Sequence, residues 1–360
     1  MTHISENHIE HLAIERLEAL GYQYLYGPDI ACDSETLERE SYEQVLLPSR
    51  LQNAVRRINP TIPIDAQAEA IKEIQRIASP ELLANNETFH RLLTEGIPVS
   101  KRVDGDDRGD RVWLIDFKNP HNNEFMAANQ FTIIENGHNK RPDIILFVNG
   151  IPLVLIELKN AADEKTTCHS AFKQVETYKA VIPGIFTYNG FVVISDGLEA
   201  KAGSISAGFS RYMAWKSADG KAEASHLVSQ LETLIQGMLN KETLIDIIRH
   251  FIVFEKSKKE DAETGITTIS TVKKLAAYHQ YYAVNRAVES TLRAAGFTVA
   301  HSLPRLSGET PLSMVLDSPE SYGVPGVKNQ PIGDRKGGVV WHTQGSGKSL
   351  SMVFYTGKIV

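Results

Sequence analysis

The stretch Arg141-Pro-Asp-Ile-Ile-Leu-Phe-Val-Asn-Gly-Ile-Pro-Leu-Val-Leu-Ile-Glu-Leu-Lys-Asn160 decides the fold of this chain. It contains two strongly apolar runs, 144–148 and 153–158, which predict two buried strands. Asn149-Gly150 lies between them and is typical of a tight hairpin turn. Charged residues stand only at the open end of this hairpin. The stretch therefore predicts a buried hairpin with a charged end.

The charged end has the spacing of a cation site. With the turn centred on Gly150, Asp143 lies seven residues before the centre and Glu157 seven after it, so the two stand opposite each other. Facing residues on paired strands have Cβ atoms about 4.5–5.5 Å apart. Two carboxylates that close repel unless a cation lies between them, and oxygen ligands suit Mg²⁺ or Mn²⁺. Lys159 shares a strand face with Glu157 and can hold or activate a water there.

The sequence around the hairpin predicts a helix, several strands, a second helix and a further strand. The second helix carries Gln174 and Tyr178, which are four residues apart and share a helix face. The predicted elements are a helix over 80–93, strands over 111–117 and 130–134 with a polar loop over 118–129, a helix over 171–180 and a strand over 190–195.

The amino-acid composition is typical of a globular protein. A length of 360 residues suggests two or three domains, and 42% hydrophobic with 23% charged residues is ordinary. The formal charge of −6 means that nucleic acid would be bound through local basic patches. Two cysteines, Cys32 and Cys168, form no disulfide framework, and the first residues lack a signal-peptide core. We expect a cytoplasmic protein with no membrane association.

A second candidate site lies near the end of the sequence. A strand over 337–342 leads into Thr343-Gln-Gly-Ser-Gly-Lys-Ser349, and a helix over 350–355 follows. This is a phosphate-binding loop in its usual strand–loop–helix setting, and it predicts ATP binding. The expected contacts come from loop residues Thr343, Gly345, Ser346 and Gly347, from Lys348 on the β- and γ-phosphates, and from Ser349 on Mg²⁺.

Gln280 precedes a predicted helix over 281–296, some sixty residues before the phosphate loop. This arrangement resembles the Q motif of superfamily 2 helicases, which implies that the Gln280 amide reads adenine. The alternative is a glutamine that caps the helix or lies on the surface.

Pro142-Asp143 and Glu157-Leu158-Lys159 resemble the PD-(D/E)xK nuclease motif. The element order resembles the α-β-β-β-α-β core of these nucleases. The resemblance implies that Asp143, Glu157 and the backbone carbonyl of Leu158 hold Mg²⁺. Gln174 and Tyr178 match a Gln-x-x-x-Tyr submotif of RecB-like nucleases and Type I restriction subunits, where it is associated with nuclease activity and DNA contacts. Further ligands occur on the first core helix of such nucleases, where this chain offers Glu87 and His90.

A nuclease followed by a superfamily 2 motor is the layout of the restriction (R) subunit of Type I restriction–modification enzymes. We expect an endonuclease domain over 1–250, an exposed linker over 251–272, and the start of a RecA-like motor domain over 273–360, as the N-terminal part of a longer polypeptide that needs its remainder to hydrolyse ATP. The resemblance implies that the complex recognises double-stranded DNA through its modification and specificity subunits, translocates with ATP, and then cuts.

Two other interpretations remain open at this point. One is a RecB-like nuclease–helicase of repair or recombination, in which the nuclease usually follows the motor. The other is a DNA-binding assembly module whose carboxylates no longer hold a metal.

Overall fold

The computed structural model describes residues 6–103, 106–160, 167–260, 267–297, 331–340 and 344–360. In these residues the helices are α1 (Glu6–Ala19), α2 (Pro48–Ile58), α3 (Ile64–Gln75), α4 (Leu82–Glu95), α5 (Cys168–Val181), α6 (Gly184–Thr187), α7 (Gln230–Met238), α8 (Lys241–His250), α9 (Tyr278–Ala294) and α10 (Lys348–Ile359). The strands are β1 (Gln23–Tyr26), β2 (Ile97–Val103), β3 (Asp106–Val112), β4 (Phe125–Asn129), β5 (Ile133–Glu135), β6 (His138–Lys140), β7 (Ile144–Val148), β8 (Ile151–Leu158), β9 (Phe191–Ser195), β10 (Ala200–Gly203), β11 (Ile252–Glu260) and β12 (Thr267–Leu275).

A six-stranded mixed sheet forms the centre of the α/β fold, with strand order β1-β4-β7-β8-β9-β10. The pairs β1–β4 and β8–β9 are parallel, and the other three pairs are antiparallel. Every residue of β4, β7, β8 and β9 is buried. These strands are covered on both faces, which explains why they read as continuous apolar runs without alternation.

The β7–β8 hairpin has the turn that its sequence predicts. Asn149 and Gly150 both have positive φ, at 53° and 78°, as a two-residue type I′ turn requires. The Asn149 side chain is fully buried: it donates to the carbonyl of Leu114 at 2.9 Å and accepts from the amide of Glu124 at 2.8 Å. The turn is therefore fixed to the protein interior at the end of the sheet away from the charged residues.

A β-bulge lies within the same hairpin. Leu146 pairs with Val154, but the next residue, Phe147, pairs with Pro152. Leu153 is the additional residue, so β8 gains one position relative to β7 beyond the bulge. As a consequence Ile144 lies opposite Ile156.

The sequence prediction was wrong about the strands before the hairpin. The predicted polar loop over 118–129 contains β4, a central strand whose residues are all buried. The predicted strand over 111–117 overlaps only the last residues of β3, and Gln130 has a φ of 54°, which ends β4 instead of starting a strand. Alanine has low strand propensity, so Phe-Met-Ala-Ala-Asn gives little local signal for a strand that burial and its neighbours stabilise.

The predicted exposed linker over 251–272 lies largely in the antiparallel β11–β12 hairpin, in which Ile252 pairs with Leu275. Residues 261–266 lie outside the described residues. Lys273 on β12 is buried, and its side-chain nitrogen donates to the side-chain oxygen of Asn86 at 2.8 Å and to the carbonyl of Asn189 at 2.7 Å. This hairpin is therefore fixed to α4 and to the residues just before β9. The division of the chain at 251–272 stays a prediction.

The end of the chain is only partly as predicted. α9 and α10 pack on each other, and α10 begins directly at Lys348. Residues 337–340 of the predicted strand over 337–342 are exposed and form no strand, and 341–343 lie outside the described residues. Within the part of the chain that the structure describes, none of the helices combines the length and apolar character needed to cross a membrane.

Candidate functional site

Asp143 and Glu157 meet at the open end of the β7–β8 hairpin. The pairing of Ile144 with Ile156 continues by one residue to place Asp143 opposite Glu157. The Asp143 carboxylate accepts a hydrogen bond of 2.6 Å from the backbone N–H of Leu158. The facing arrangement expected from the sequence is therefore present, but the predicted centre of the turn was wrong: the turn is centred between Asn149 and Gly150, and the bulge at Leu153 brings Glu157 opposite Asp143.

Burial raises the pKa of both carboxyl groups. Asp143 is mostly buried, and its hydrogen bond from Leu158 and the charge of Lys159 only partly offset the desolvation. Glu157 is 2% exposed; its pKa is raised by burial first and by the Asp143 charge second. Both pKa values are raised because the charged forms of the two facing carboxyl groups are unfavourable here. A cation bound between the groups would stabilise both charged forms.

The ammonium of Lys159 supplies one positive charge to this pair. It donates to Oε1 of Glu157 at 2.8 Å, to the carbonyl of Leu158 at 2.9 Å and to Oε1 of Glu6 at 2.8 Å. Burial alone would lower the pKa of Lys159, but Glu157 and Glu6 raise it above its ordinary value. Lys159 is therefore charged at neutral pH.

The donor atoms fit a divalent cation with oxygen ligands. The N–H and the carbonyl of a strand residue point to the same side, so the Leu158 carbonyl lies on the side of Asp143, to which its N–H donates. Oε2 of Glu157 is buried and accepts no hydrogen bond of good geometry from the described residues. Two carboxylates, one of which has an oxygen without a hydrogen bond, and one carbonyl form the kind of donor set that Mg²⁺ binds.

α1 adds two carboxylates that the sequence analysis missed. Glu10 is 4% exposed and accepts hydrogen bonds from the side chains of Asn129 and Gln130. Glu6 and Glu10 both raise the pKa of Asp143. The signal in the sequence was weak, because one buried glutamate in an amphipathic helix resembles any surface glutamate. Among the residues that the structure describes, the site therefore holds four carboxylates and one ammonium, that of Lys159.

Glu87 and His90, suggested as further ligands, lie at the opposite end of the sheet. Glu87 forms an ion pair of 2.9 Å with Lys256, and His90 packs on Phe254. Both partners belong to β11, whose hairpin contacts the start of β9, whereas the carboxylates lie at the end of β8. The suggestion was wrong because α1, not α4, is the helix that packs beside the carboxylates.

Gln174 and Tyr178 lie on α5, which packs on β8 and β9. Thr167 and Ser170 form a capping box that fixes the start of this helix. The hydroxyl of Tyr178 interacts with the side chains of Gln174 and Glu157, and burial raises its pKa. The structure thus brings both residues to the carboxylate site, as the sequence predicts.

A second group of metal-ligating residues, Cys168, Asp196 and Glu199, has its ligand atoms within 4.8 Å of one another. Burial raises the pKa of the Cys168 thiol to about 11. Metal ions bind the thiolate, which is scarce at neutral pH in such an environment. This group is therefore a poorer candidate than the carboxylate pair.

The phosphate loop has the backbone conformation that its glycines allow. Gly345 and Gly347 have φ values of 82° and 79°, and Gly347 is the N-cap of α10. Lys348 and Ser349 form the exposed first turn of this helix. Backbone N–H groups at a helix start favour phosphate groups. Thr343 lies outside the described residues.

Gln280 contacts the phosphate loop from the first turn of α9. Its side-chain oxygen accepts from the amide of Ala277 at 2.9 Å, which caps the helix, and its nitrogen donates to the carbonyl of Gly347 at 3.0 Å. The helix-capping alternative is therefore present, together with a contact to the loop. Adenine recognition by Gln280 stays a prediction.

These features give the protein a candidate metal-binding carboxylate site and a candidate phosphate-binding loop. Residues 3–211 match the family described as Type I restriction enzyme R protein N terminus, and residues 279–360 match SWI2/SNF2 ATPase. The chain belongs to the first of these families, whose match covers more than half of it.

Two similar proteins support the same family. One is the Type I restriction enzyme HindI endonuclease subunit of Haemophilus influenzae, 38% identical over 99% of this chain and 30% of the relative. The other is a putative Type I restriction enzyme endonuclease subunit, MjaIXP, of Methanocaldococcus jannaschii, 30% identical over 97% of this chain and 31% of the relative. The chain spans less than a third of the length of these relatives.

Proposed function

We propose that this chain is the nuclease part and the beginning of the ATP-driven motor of a Type I restriction endonuclease subunit. The enzyme would translocate unmodified double-stranded DNA with ATP and then cleave it with Mg²⁺. The observation that carries the proposal is the convergence of Asp143, Glu157 and the Leu158 carbonyl beside the charged Lys159.

The fold supports a PD-(D/E)xK nuclease core. α1 packs on β8, and the chain then supplies β4, β7, β8, α5 and β9 in that order. We infer that this order corresponds to the α-β-β-β-α-β order of such a core, with α1 as its first helix. We infer that the remaining elements before β7 are elaborations of it.

Each residue at the carboxylate site has a proposed role. Asp143, Glu157 and the Leu158 carbonyl would hold Mg²⁺, which when bound polarises the scissile phosphate and lowers the pKa of a water. Lys159 would orient the attacking water or stabilise charge on the phosphate. Tyr178 would fix the orientation of Glu157.

The phosphate loop would bind ATP for the motor. Thr343, Gly345, Ser346 and Gly347 would surround the phosphates, Lys348 would neutralise the β- and γ-phosphates, and Ser349 would ligate Mg²⁺. Gln280 would recognise adenine. The similarity to SWI2/SNF2 ATPases supports use of ATP by this region.

The partners follow from the family. Names of both relatives describe endonuclease subunits of Type I restriction enzymes. We therefore infer that this protein acts in the cytoplasm with modification and specificity subunits that recognise the DNA. The family match and the nuclease-before-motor order favour this function over a RecB-like repair enzyme.

Separation of the two activities tests the proposal. In the complete subunit reconstituted with its partner subunits, Asp143→Ala should abolish cleavage of unmodified DNA and leave ATP hydrolysis unchanged. Asp33→Asn, which changes a carboxylate outside the site, should leave both activities intact. Cleavage by Asp143→Ala at the wild-type rate would instead support an assembly module without a metal.

A further inference from the structure

The ammonium of Lys159 has three N–H donors, and each has a partner in the structure. Two of the acceptors, Oε1 of Glu157 and the carbonyl of Leu158, belong to residues of the proposed Mg²⁺ site. The third is Oε1 of Glu6, at 2.8 Å, which lies on a different element, α1.

A divalent cation on Glu157 and the Leu158 carbonyl would compete with the ammonium for the same oxygens. Two cations a few ångströms apart repel each other strongly in a site of low dielectric. The ammonium must then release these two acceptors. Glu6 is the acceptor it can keep, because Glu6 is not among the proposed metal ligands.

We propose that Glu6 is a positioning residue, which retains the Lys159 ammonium beside the site when a divalent cation takes Glu157 and the Leu158 carbonyl. This inference rests on the proposed nuclease function. Without Glu6, the acceptors left to the ammonium among the described residues would be the metal-binding oxygens, and the ammonium would oppose metal binding.

The packing of α1 supports this role. Ile9 and Ala13 are buried, and the Ile9 side chain lies against Gly197, just after β9. Arg16 forms an ion pair of 3.3 Å with Glu232 on α7. The helix is therefore fixed on the sheet, and it holds the Glu6 carboxylate at a defined distance from Lys159.

Because Glu6 is partly exposed, its substitution can change the position of Lys159 without destabilising the fold. The Glu6 side chain is 47% exposed, and that of Lys159 is 21% exposed. An ion pair with one partner half in solvent contributes little to folding. The variant Glu6→Gln should therefore fold normally, and a thermal melt verifies this before the metal is added.

The test is Mn²⁺ affinity, measured by electron paramagnetic resonance on the complete subunit without nucleotide. Glu6→Gln should weaken Mn²⁺ binding about fivefold, the size expected for one half-exposed ion pair. Glu15→Gln, which removes an exposed carboxylate from the same helix, should leave the affinity unchanged. Lys159→Met should bind Mn²⁺ at least as well as the wild type.

The decisive comparison is Glu6→Gln in the Lys159→Met background. If Glu6 acts by retaining the ammonium, the second substitution should now have no effect. A fivefold loss that persists in this background would show that Glu6 acts only through its own negative charge, and would overturn the inference.

Asp143→Ala distinguishes this failure from failure of the nuclease proposal. Loss of Mn²⁺ binding by Asp143→Ala together with a silent Glu6→Gln overturns the positioning role alone. Unchanged Mn²⁺ binding by Asp143→Ala overturns both, because the carboxylate pair would then not be the metal site.

Discussion

Lys358 on α10 forms a bidentate contact with Asp246 on α8, with its ammonium 2.5 and 2.6 Å from the two carboxylate oxygens. It also donates to the side chain of Asn285 on α9. Burial lowers the pKa of Lys358, and Asp246 partly offsets this. The helix that follows the phosphate loop is thus joined to α8, which lies in the region predicted as the nuclease domain.

Removal of this cation should destabilise the chain. Lys358→Met leaves Asp246 largely buried without its cationic partner and with the Asn285 amide still donating to it, so we expect a loss of about 2 kcal/mol of unfolding free energy, somewhat less than for a fully buried pair. Urea unfolding of the variant and the wild type measures this difference in unfolding free energy. Lys72→Met, which breaks an exposed pair with Glu69 on α3, is the control and should cost under about 0.5 kcal/mol. Equal effects of the two substitutions would contradict the structural role of the Lys358–Asp246 pair.

Lys348→Ala should stop ATP hydrolysis in the complete enzyme. The substitution removes the charge that is proposed to neutralise the nucleotide phosphates. DNA cleavage should stop as well if it requires translocation, although Mn²⁺ binding at the carboxylate site should be retained. Lys336→Ala, an exposed lysine before the loop, is the matched control for ATPase assays. Normal ATPase in Lys348→Ala would refute the role of the loop.

Both Lys159→Arg and Lys159→Ala should lose most cleavage. Arginine keeps the positive charge, but its planar guanidinium differs from an ammonium in shape and hydration, so it cannot make the same three contacts. Cleavage is measured on circular DNA with the reconstituted complex, and ATPase serves as the internal control. Full cleavage by Lys159→Ala would show that this lysine is a structural residue at the end of β8 with no role in cleavage.

Lys273 should make stability depend on pH. Burial lowers its pKa from 10.5 to about 7, so between these values the unfolded chain binds more protons than the folded one. Stability should therefore fall as pH decreases from about 10 to 7, by up to about 1.4 kcal/mol per pH unit. His90 nearby does not interfere, because burial lowers its pKa to about 3.

The measurement is the difference between wild type and Lys273→Met in urea unfolding at several pH values. This difference removes the contribution of buried tyrosines, which also titrate near pH 10. The two curves should diverge toward high pH, where the neutral amine of the wild type stabilises it through Asn86 and Asn189. Parallel curves would mean that Lys273 keeps an ordinary pKa.

The sequence alone was sufficient for the features that depend on local patterns. Asn149-Gly150 between apolar runs predicted the hairpin, and Gln174 with Tyr178 predicted a helix face turned to the site. The glycines of the phosphate loop predicted its backbone conformation. Neighbouring residues in the chain decide the turn, the helix and the loop, whereas the packing of α5 on β8 and β9 decides that its Gln174–Tyr178 face meets the site.

The features that were missed depend on distant residues. β4 is a strand because β1 and β7 pair with it, and not because Ala127 or Ala128 favours strand. Glu10 reaches the site because Asn129, far along the chain, binds it. β11 is polar enough to resemble a linker, and it is ordered through its pairing with β12 and the buried Lys273.

The bulge at Leu153 determines whether the number of residues between two facing positions of the hairpin is odd or even. A two-residue turn between strictly paired strands leaves an even number of residues between any two facing positions. Thirteen residues separate Asp143 from Glu157, which is odd, so one of the two strands must contain an unpaired residue. In any relative with an Asn-Gly turn, an odd number of residues between the two facing carboxylates therefore indicates a bulged hairpin, and an even number indicates a regular one.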